Sequence, residues 1–390
     1  MDDGETMTDP MTRRTFLAAS AATFAASKLQ AQSPAARNIV YVGSSVKKSG
    51  VYTGVWNPAT GTLSNFRMAT AADSPGFLAV SNKGGKRLLF VGHQSAPRTG
   101  ALSSFQVQAS GDLKLINSVT VADFDMVHTA VDALAGCLVS ASYGSGKVLS
   151  IKIGADGHLS GPVSQFVLSG TGPNPTRQTS SHAHGVAFSP ANKTGKHYVM
   201  ISDLGTDKIM VYKLNPATAK LTPNDPPYFS ATPGAGPRHL AFHPNGRWAY
   251  SINELDSTIT QLSWNPETGV LTQIASTPTL PAGGDIATNR AGELAFDKAG
   301  HFLYGCNRGA PEELLVYAVD AAGALTLASR EPLGGKEARA FNLSPDEAYL
   351  LVAEQFSNRL AVFARNRKTG ALQPTQNFYP VENASCVVFV

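Results

Sequence analysis

Seven short polar turns, each closing on a leucine, cut most of this chain into near-equal lengths. They read NPATGTL (Asn57 to Leu63), QASGDL (Gln108 to Leu113), GADGHL (Gly154 to Leu159), NPATAKL (Asn215 to Leu221), NPETGVL (Asn265 to Leu271), DAAGAL (Asp320 to Leu325) and RKTGAL (Arg367 to Leu372). The closing leucines lie 50, 46, 62, 50, 54 and 47 residues apart. A repeat of this length marks one supersecondary unit stacked many times, and about 40–50 residues is the length of a four-stranded blade.

Ahead of each turn runs an alternating apolar segment: Gly50 to Trp56, Ala101 to Val107, Val148 to Ile153, Ile209 to Leu214, Ile259 to Trp264, Leu314 to Val319 and Leu360 to Arg365. Period-two alternation rich in β-branched and aromatic residues predicts strands. A second repeated element lies upstream, as in FHPNGRWAY (Phe242 to Tyr250) and FDKAGHFLY (Phe296 to Tyr304); each reads strand, tight turn, strand. The first unit opens at Asn38 to Gly43 with no strand ahead of it, and the chain finishes at Ser385 to Phe389 with no strand after it. Pairing the two ends removes the open edges a ring would expose. The expected fold is all-β: a seven-bladed β-propeller of four-stranded antiparallel blades, closed by pairing of the N- and C-terminal strands.

With 43% hydrophobic and 15% charged residues the chain can bury a core. Its net charge of +4 is spread without a basic run, so nucleic acid is not an expected partner. The N-terminal residues differ: Thr12-Arg13-Arg14-Thr15-Phe16-Leu17 precedes a weakly apolar Ala18 to Ala26, then Leu29-Gln30-Ala31. This resembles a twin-arginine export signal. The expected organisation is therefore a signal at residues 1–31 and a propeller domain at 32–390, with a periplasmic location preferred over a cytoplasmic one. The apolar run is too short to span a bilayer stably, so no membrane association is expected after cleavage. The cysteines Cys137, Cys306 and Cys386 lack metal-ligand spacing and read as buried packing residues, with one disulfide left open.

In a propeller the first strand of each blade lines the axis. Aligned on the residue that starts each tight turn, those strands carry Gly76, Val127, His184, Arg238, Gly292 and Arg339 five positions back. Four positions back stand Phe77, His128, Gly185, His239, Glu293 and Ala340. A row facing only a packing core would be uniformly apolar. The loops after the second strands face the same end and add Asp203, Asn253, Glu254, Asn307, Arg308 and Glu354. Converging His, Arg and Glu suit an enzyme acting on an anionic, carbonyl-bearing molecule; the alternative is a wet channel that binds only water. Glu293, Asn253, Asn307 and Asp203 would make an oxygen-rich cation site, but nothing has fixed ligand spacing, and no metal is expected.

GPNPTRQTSSHAHG (Gly172 to Gly185), GPRHLAFHPNGR (Gly236 to Arg247), INELDST (Ile252 to Thr258) and CNRG (Cys306 to Gly309) resemble the lactonase family of seven-bladed propellers, from about residue 38 to the end. That family includes cycloisomerase-type 6-phosphogluconolactonases and fungal carboxymuconate lactonizing enzymes. The resemblance implies a lactone-handling enzyme needing no organic cofactor, with pocket residues at His184, Arg238, Glu254, Glu293 and Arg308. The family's usual histidine two residues after Glu293 is Ala295 here, and the usual acid before Asn289 is Thr288. Opening a lactone needs an activated water and a partner for the oxyanion. Glu254, Glu293 or His184 is the candidate base, and Arg238 and Arg308 are candidates for the negative charge. Glu254 has a second reading, a structural pair with Arg238. Arg308, Asn307, Arg339, His128, His182, Asn253 and Asp203 complete the expected substrate contacts. The expected reaction is hydrolysis of a sugar lactone to its aldonic acid; a non-catalytic periplasmic binding propeller and a muconate-type lactonizing isomerase stay open.

Overall fold

The polar turns lie at the outer rim, and their glycines are where two sheets meet. Gly370, between β25 (Arg359–Arg365) and β26 (Leu372–Pro380), has φ of 74°, a left-handed conformation that favours glycine. A Cβ there would stand 2.5 Å from the Phe302 ring of the preceding sheet. The hydroxyl of Tyr304, from that same sheet, donates to the Gly370 carbonyl at 3.0 Å. Tyr41 and Tyr250 make the same link to Gly111 at 2.7 Å and Gly323 at 2.5 Å. The turn repeat is thus a joint, in which each unit's hydroxyl caps the next unit's turn. The leucines that close the turns follow suit: Leu63, Leu159, Leu221, Leu271 and Leu372 are all buried in apolar clusters between sheets. Each contributes about 1.5–3 kcal/mol by leaving water.

A computed structural model describes residues 38–390, apart from Lys83, Gly84, Ala133, Ala135 and Thr194. The export segment expected at 1–31 lies outside them. The described residues hold twenty-seven strands, numbered β1 to β27 in chain order, and no α-helix. They form a β-propeller. Five four-stranded antiparallel sheets and one seven-stranded sheet make it up. The larger sheet arises because β3 (Thr62–Ser81), twenty residues long, pairs with β2 (Ser49–Asn57) through its first half and with β4 (Leu88–Ala96) through its second. Two of the expected units are merged there rather than separate.

The chain ends pair as expected. β27 (Ala384–Phe389) lies antiparallel to β1 (Ile39–Ser44), with Val42 opposite Val387. The innermost strands are β27, the second half of β3, β7 (Met126–Asp132), β11 (Ala183–Phe188), β15 (Pro237–Phe242), β19 (Asn289–Phe296) and β23 (Ala338–Leu343). Each neighbours the next, and β23 neighbours β27, closing the cycle. Cys137, Cys306 and Cys386 are buried and free, so the disulfide left open by the sequence does not form here.

Alternation along the innermost strands breaks at one common place. In β15, Pro237 faces Asn253 and His239 faces Ile252, leaving Arg238 unmatched. Arg339 in β23, Val127 in β7 and Ser385 in β27 are unmatched in the same way. β11 and β19 each carry one extra residue between Ala183 and Val186 and between Ala291 and Leu294; β3 carries two between Asp73 and Phe77. Such β-bulges re-aim side chains. Consecutive residues, which in a regular strand point to opposite faces, here both reach the axis.

Candidate active site

At the bulges a cavity of about 720 Å³ opens, within the size range of small-molecule sites. Its wall includes His184, Glu254, Arg308 and Arg339 from the expected set, together with Tyr143, Arg177, Arg290, Glu337 and Asp125, which the sequence reading left out. Arg177 lies in the quoted Gly172–Gly185 motif, and Glu337 stands two residues before Arg339; those positions were the available signal. Tyr143 and Asp125 lie on connections with no repeat to mark them.

Glu254 is the hub of this layer. Its Oε1 accepts from Arg177 Nη2 at 2.6 Å and its Oε2 from Arg308 Nη2 at 2.7 Å, and Arg238 Nε stands 3.1 Å from Oε2. Burial alone pushes its pKa up, but the guanidiniums of Arg308, Arg238 and Arg177 outweigh burial and hold the carboxyl well below its usual range. A carboxylate held this way is a weak base. Arg308 and Arg238 are each only 1% exposed. Arg308 spends Nη1 on Glu337 at 2.8 Å, and Glu337 also accepts from Arg290 at 2.9 Å. Arg238 donates Nη1 to the Gly292 carbonyl at 2.7 Å; burial, then Arg308 and Arg339, push its pKa down to about 9, so it is still charged at neutral pH.

Arg339 differs from these. Among the described residues no carboxylate lies within 4 Å of its guanidinium, yet it lines the cavity, half-buried. Glu254, Glu337 and Glu293 act on it only from longer range, and a guanidinium that faces a cavity with its donors uncommitted is an anion-binding element. His184 lines the same space with 2% of its surface exposed. Burial first, then Arg238 and His239, lower its pKa well below the usual value, so the ring is neutral and one nitrogen carries a lone pair.

One to four residues further along the same strands lies a second cavity of about 270 Å³, walled by His128, His239, Glu293 and apolar side chains. Glu293 therefore sits below the main cavity, in contact with His239 Nδ1 at 2.7 Å. His128 accepts a hydrogen bond from the Val186 N–H at 3.3 Å and packs on Phe77 and His239 with ring centroids 4.1 and 4.6 Å apart. His182 stacks on Tyr143, 4.3 Å between centroids; it positions the ring whose hydroxyl meets Arg177 at 3.1 Å and does not itself line the cavity.

Three expected substrate contacts serve the chain instead. Asp203 accepts from the Ser181 and Thr206 hydroxyls, each at 2.7 Å, and from the His182 N–H at 2.8 Å. Asn253 donates to Thr258 and Thr260, and Asn307 to the Thr279 carbonyl and Glu313. Polar side chains at strand ends satisfy loop backbone as readily as ligand, which is why the sequence misplaced them. Among the described residues no three His, Cys, Asp or Glu side chains converge as metal ligands. Ala295, the departure from the usual histidine, packs into the apolar cluster around Tyr304 and Phe341 and lines neither cavity.

The family model described as lactonase, 7-bladed beta-propeller, matches residues 39–389. A 6-phosphogluconolactonase of Bacillus subtilis is 31% identical over 357 residues, covering 90% of this chain and 98% of the relative. The solved structure of a periplasmic gluconolactonase of Pseudomonas aeruginosa superposes with a TM-score of 0.81 at 30% identity, over 90% of this chain and 99% of that one. A putative 6-phosphogluconolactonase structure from Bacteroides uniformis gives 0.80 at 29% identity, over 91% and 100%. The chain belongs to the seven-bladed β-propeller lactonase family.

Proposed function

We propose that this protein is a lactone hydrolase that opens a sugar lactone to its aldonic acid in the 720 Å³ cavity. The single observation that carries the reading is a guanidinium that makes no ion pair among the described residues, Arg339, sharing one cavity with a neutral histidine, His184. His184 accepts a proton from the attacking water as the new C–O bond forms at the lactone carbonyl. Arg339 donates to the carbonyl oxygen, whose charge grows toward the tetrahedral intermediate. Glu254 is assigned to fixing Arg177, Arg238 and Arg308 rather than to proton removal, because its carboxylate is already occupied by guanidiniums. The ring oxygen leaves with the proton returned by His184, giving a free hydroxyl and a carboxylic acid that releases its remaining proton to solvent as the carboxylate.

Family membership and the named activities of the relatives support the chemistry. The ring is read as seven blades, two of them merged through β3. The arginine-rich wall suits a substrate that bears or develops negative charge. The twin-arginine segment, together with a periplasmic gluconolactonase among the similar structures, supports an exported enzyme. A pH-stat assay over a panel of phosphorylated and unphosphorylated aldonolactones tests the reading. Wild type should exceed spontaneous opening on at least one member and Arg339→Met should fall toward it; a wild type no faster than buffer across the panel overturns it.

A further inference from the structure

Two ring nitrogens have no partner in the middle of the molecule. His184 Nδ1 and His239 Nε2 are both sealed from solvent and unbonded, and their ring centroids lie 5.1 Å apart. Buried nitrogens of this kind require partners, and one bridging water satisfies both. The other side of His239 settles which nitrogen carries its proton. Glu293 Oε1 accepts the Leu294 N–H at 3.0 Å and meets His239 Nδ1 at 2.7 Å, so Nδ1 is the donor and Nε2 is bare. Arg238 Nη1, 3.3 Å from the same Nδ1, is engaged by the Gly292 carbonyl at 2.7 Å. With the bridging water donating to the bare Nε2 of His239, its oxygen is left to accept from the neighbour, and Nδ1 is then the protonated nitrogen of His184. The nitrogen left toward the cavity is then Nε2, with its lone pair free.

We propose that Glu293 and His239 work as a unit behind His184, fixing the tautomer that keeps its cavity-facing nitrogen basic and supporting the charge that nitrogen acquires; this rests on the lactonase reading above. As water's O–H bond breaks and its oxygen bonds to the carbonyl carbon, the proton goes to His184 Nε2. The imidazolium's Nδ1–H then leans, through the bridging water, on His239 Nε2, whose own Nδ1–H leans on the Glu293 carboxylate. The proton on Nε2 passes to the departing ring oxygen, and the three groups return to their starting state. Neither Glu293 nor His239 touches substrate, so both are positioning residues. Arg238, Arg339, Arg308 and His128 face the two histidines as cations or neutral rings, and Glu254 and Glu293 supply the negative charge. Burial above all, and then these arginines, lower both histidines well below the ordinary value, in keeping with a neutral resting pair.

The test uses Glu293→Gln, which keeps the acceptor oxygen and removes the charge, His239→Gln, and the double variant. Each single change should lower kcat about 10- to 100-fold with KM little altered, and Glu293→Gln should move the acidic limb of the kcat profile to lower pH. The double should be no worse than the worse single, as for groups acting as one unit. Losses that multiply in the double, an unmoved pH profile, or kcat within twofold of wild type each overturn the proposal. Imidazole NMR of His184 adds a readout independent of turnover. A Glu293→Gln protein that titrates His184 at an unchanged pH sinks the inference, while a wild type with no lactonase activity sinks only the reading beneath it.

Discussion

Two carboxylates in adjoining cavities of one ring behave oppositely. Glu254, in the arginine layer at the cavity, is surrounded by three guanidiniums and held below its usual pKa. Glu293, one layer deeper among histidines, has its pKa raised by burial, which Arg238 and His128 only partly offset. Both are glutamates on the inner wall of the same ring. The environment, not the residue type, separates a structural anion from a group that can pass charge along. The sharpest way to break this contrast is Glu254→Gln. It leaves three cations packed together with one anion fewer, so stability should fall by about 3–5 kcal/mol in urea unfolding; a loss no larger than that of Glu293→Gln would erase the distinction.

Arg339→Met comes next. Removing a charged donor that faces the cavity without an ion pair should lower kcat/KM by about 10- to 100-fold, the equivalent of one charge-assisted hydrogen bond, while leaving the melting temperature near wild type. A melting temperature that falls with activity would place Arg339 among the structural cations instead.

The third expectation concerns pH. Glu254 has a depressed folded pKa, so its contribution is present above its unfolded value, about 4.3, and is lost as pH falls through the folded one. Glu293 has a raised folded pKa, so its contribution is present below about 4.3 and is lost as pH rises through the folded value. Relative to wild type, Glu254→Gln should therefore flatten the acid side of the stability curve, and Glu293→Gln should gain stability above that window. Melting curves across the acid and neutral range check both signs.

The smallest effect is expected at Cys306, whose Sγ accepts the Glu293 N–H at 3.2 Å and approaches the Ala338 carbonyl at 3.3 Å. Cys306→Ala should cost about 1 kcal/mol or less and touch kcat more than KM, since it loosens the deeper layer and spares the cavity wall.

The fold was legible because its punctuation is physical. Glycine at Gly370 answers a left-handed backbone and a close aromatic ring, and the closing leucines answer burial, so both leave marks in sequence. The merged sheet was not legible: nothing in Thr62–Ser81 announces one strand serving two sheets. In the site, counting back from the tight turns brought out His184, Arg238, Glu293 and Arg339, since every innermost strand bulges at the same place. Counting could not tell which of two consecutive residues reaches the upper cavity and which the lower, and so placed Glu293 beside Glu254. Loop residues were harder still. Asp203, Asn253 and Asn307 carry ligand-like side chains that close hydrogen bonds on other parts of the chain, while Arg177 lacks any periodic position that would single it out.

The unmatched residue in each innermost strand has a further consequence. Because it makes no ladder pairing, exchanging its side chain breaks no ladder hydrogen bond, and the ring offers such a position in every sector. The two glycines among them show how unequal these sockets are. At Gly76 an added Cβ would find its nearest neighbours at 3.8 Å, whereas at Gly292 it would meet Cys306 Sγ at 2.6 Å. New selectivity for bulkier or smaller ligands has an open door at the first and a locked one at the second.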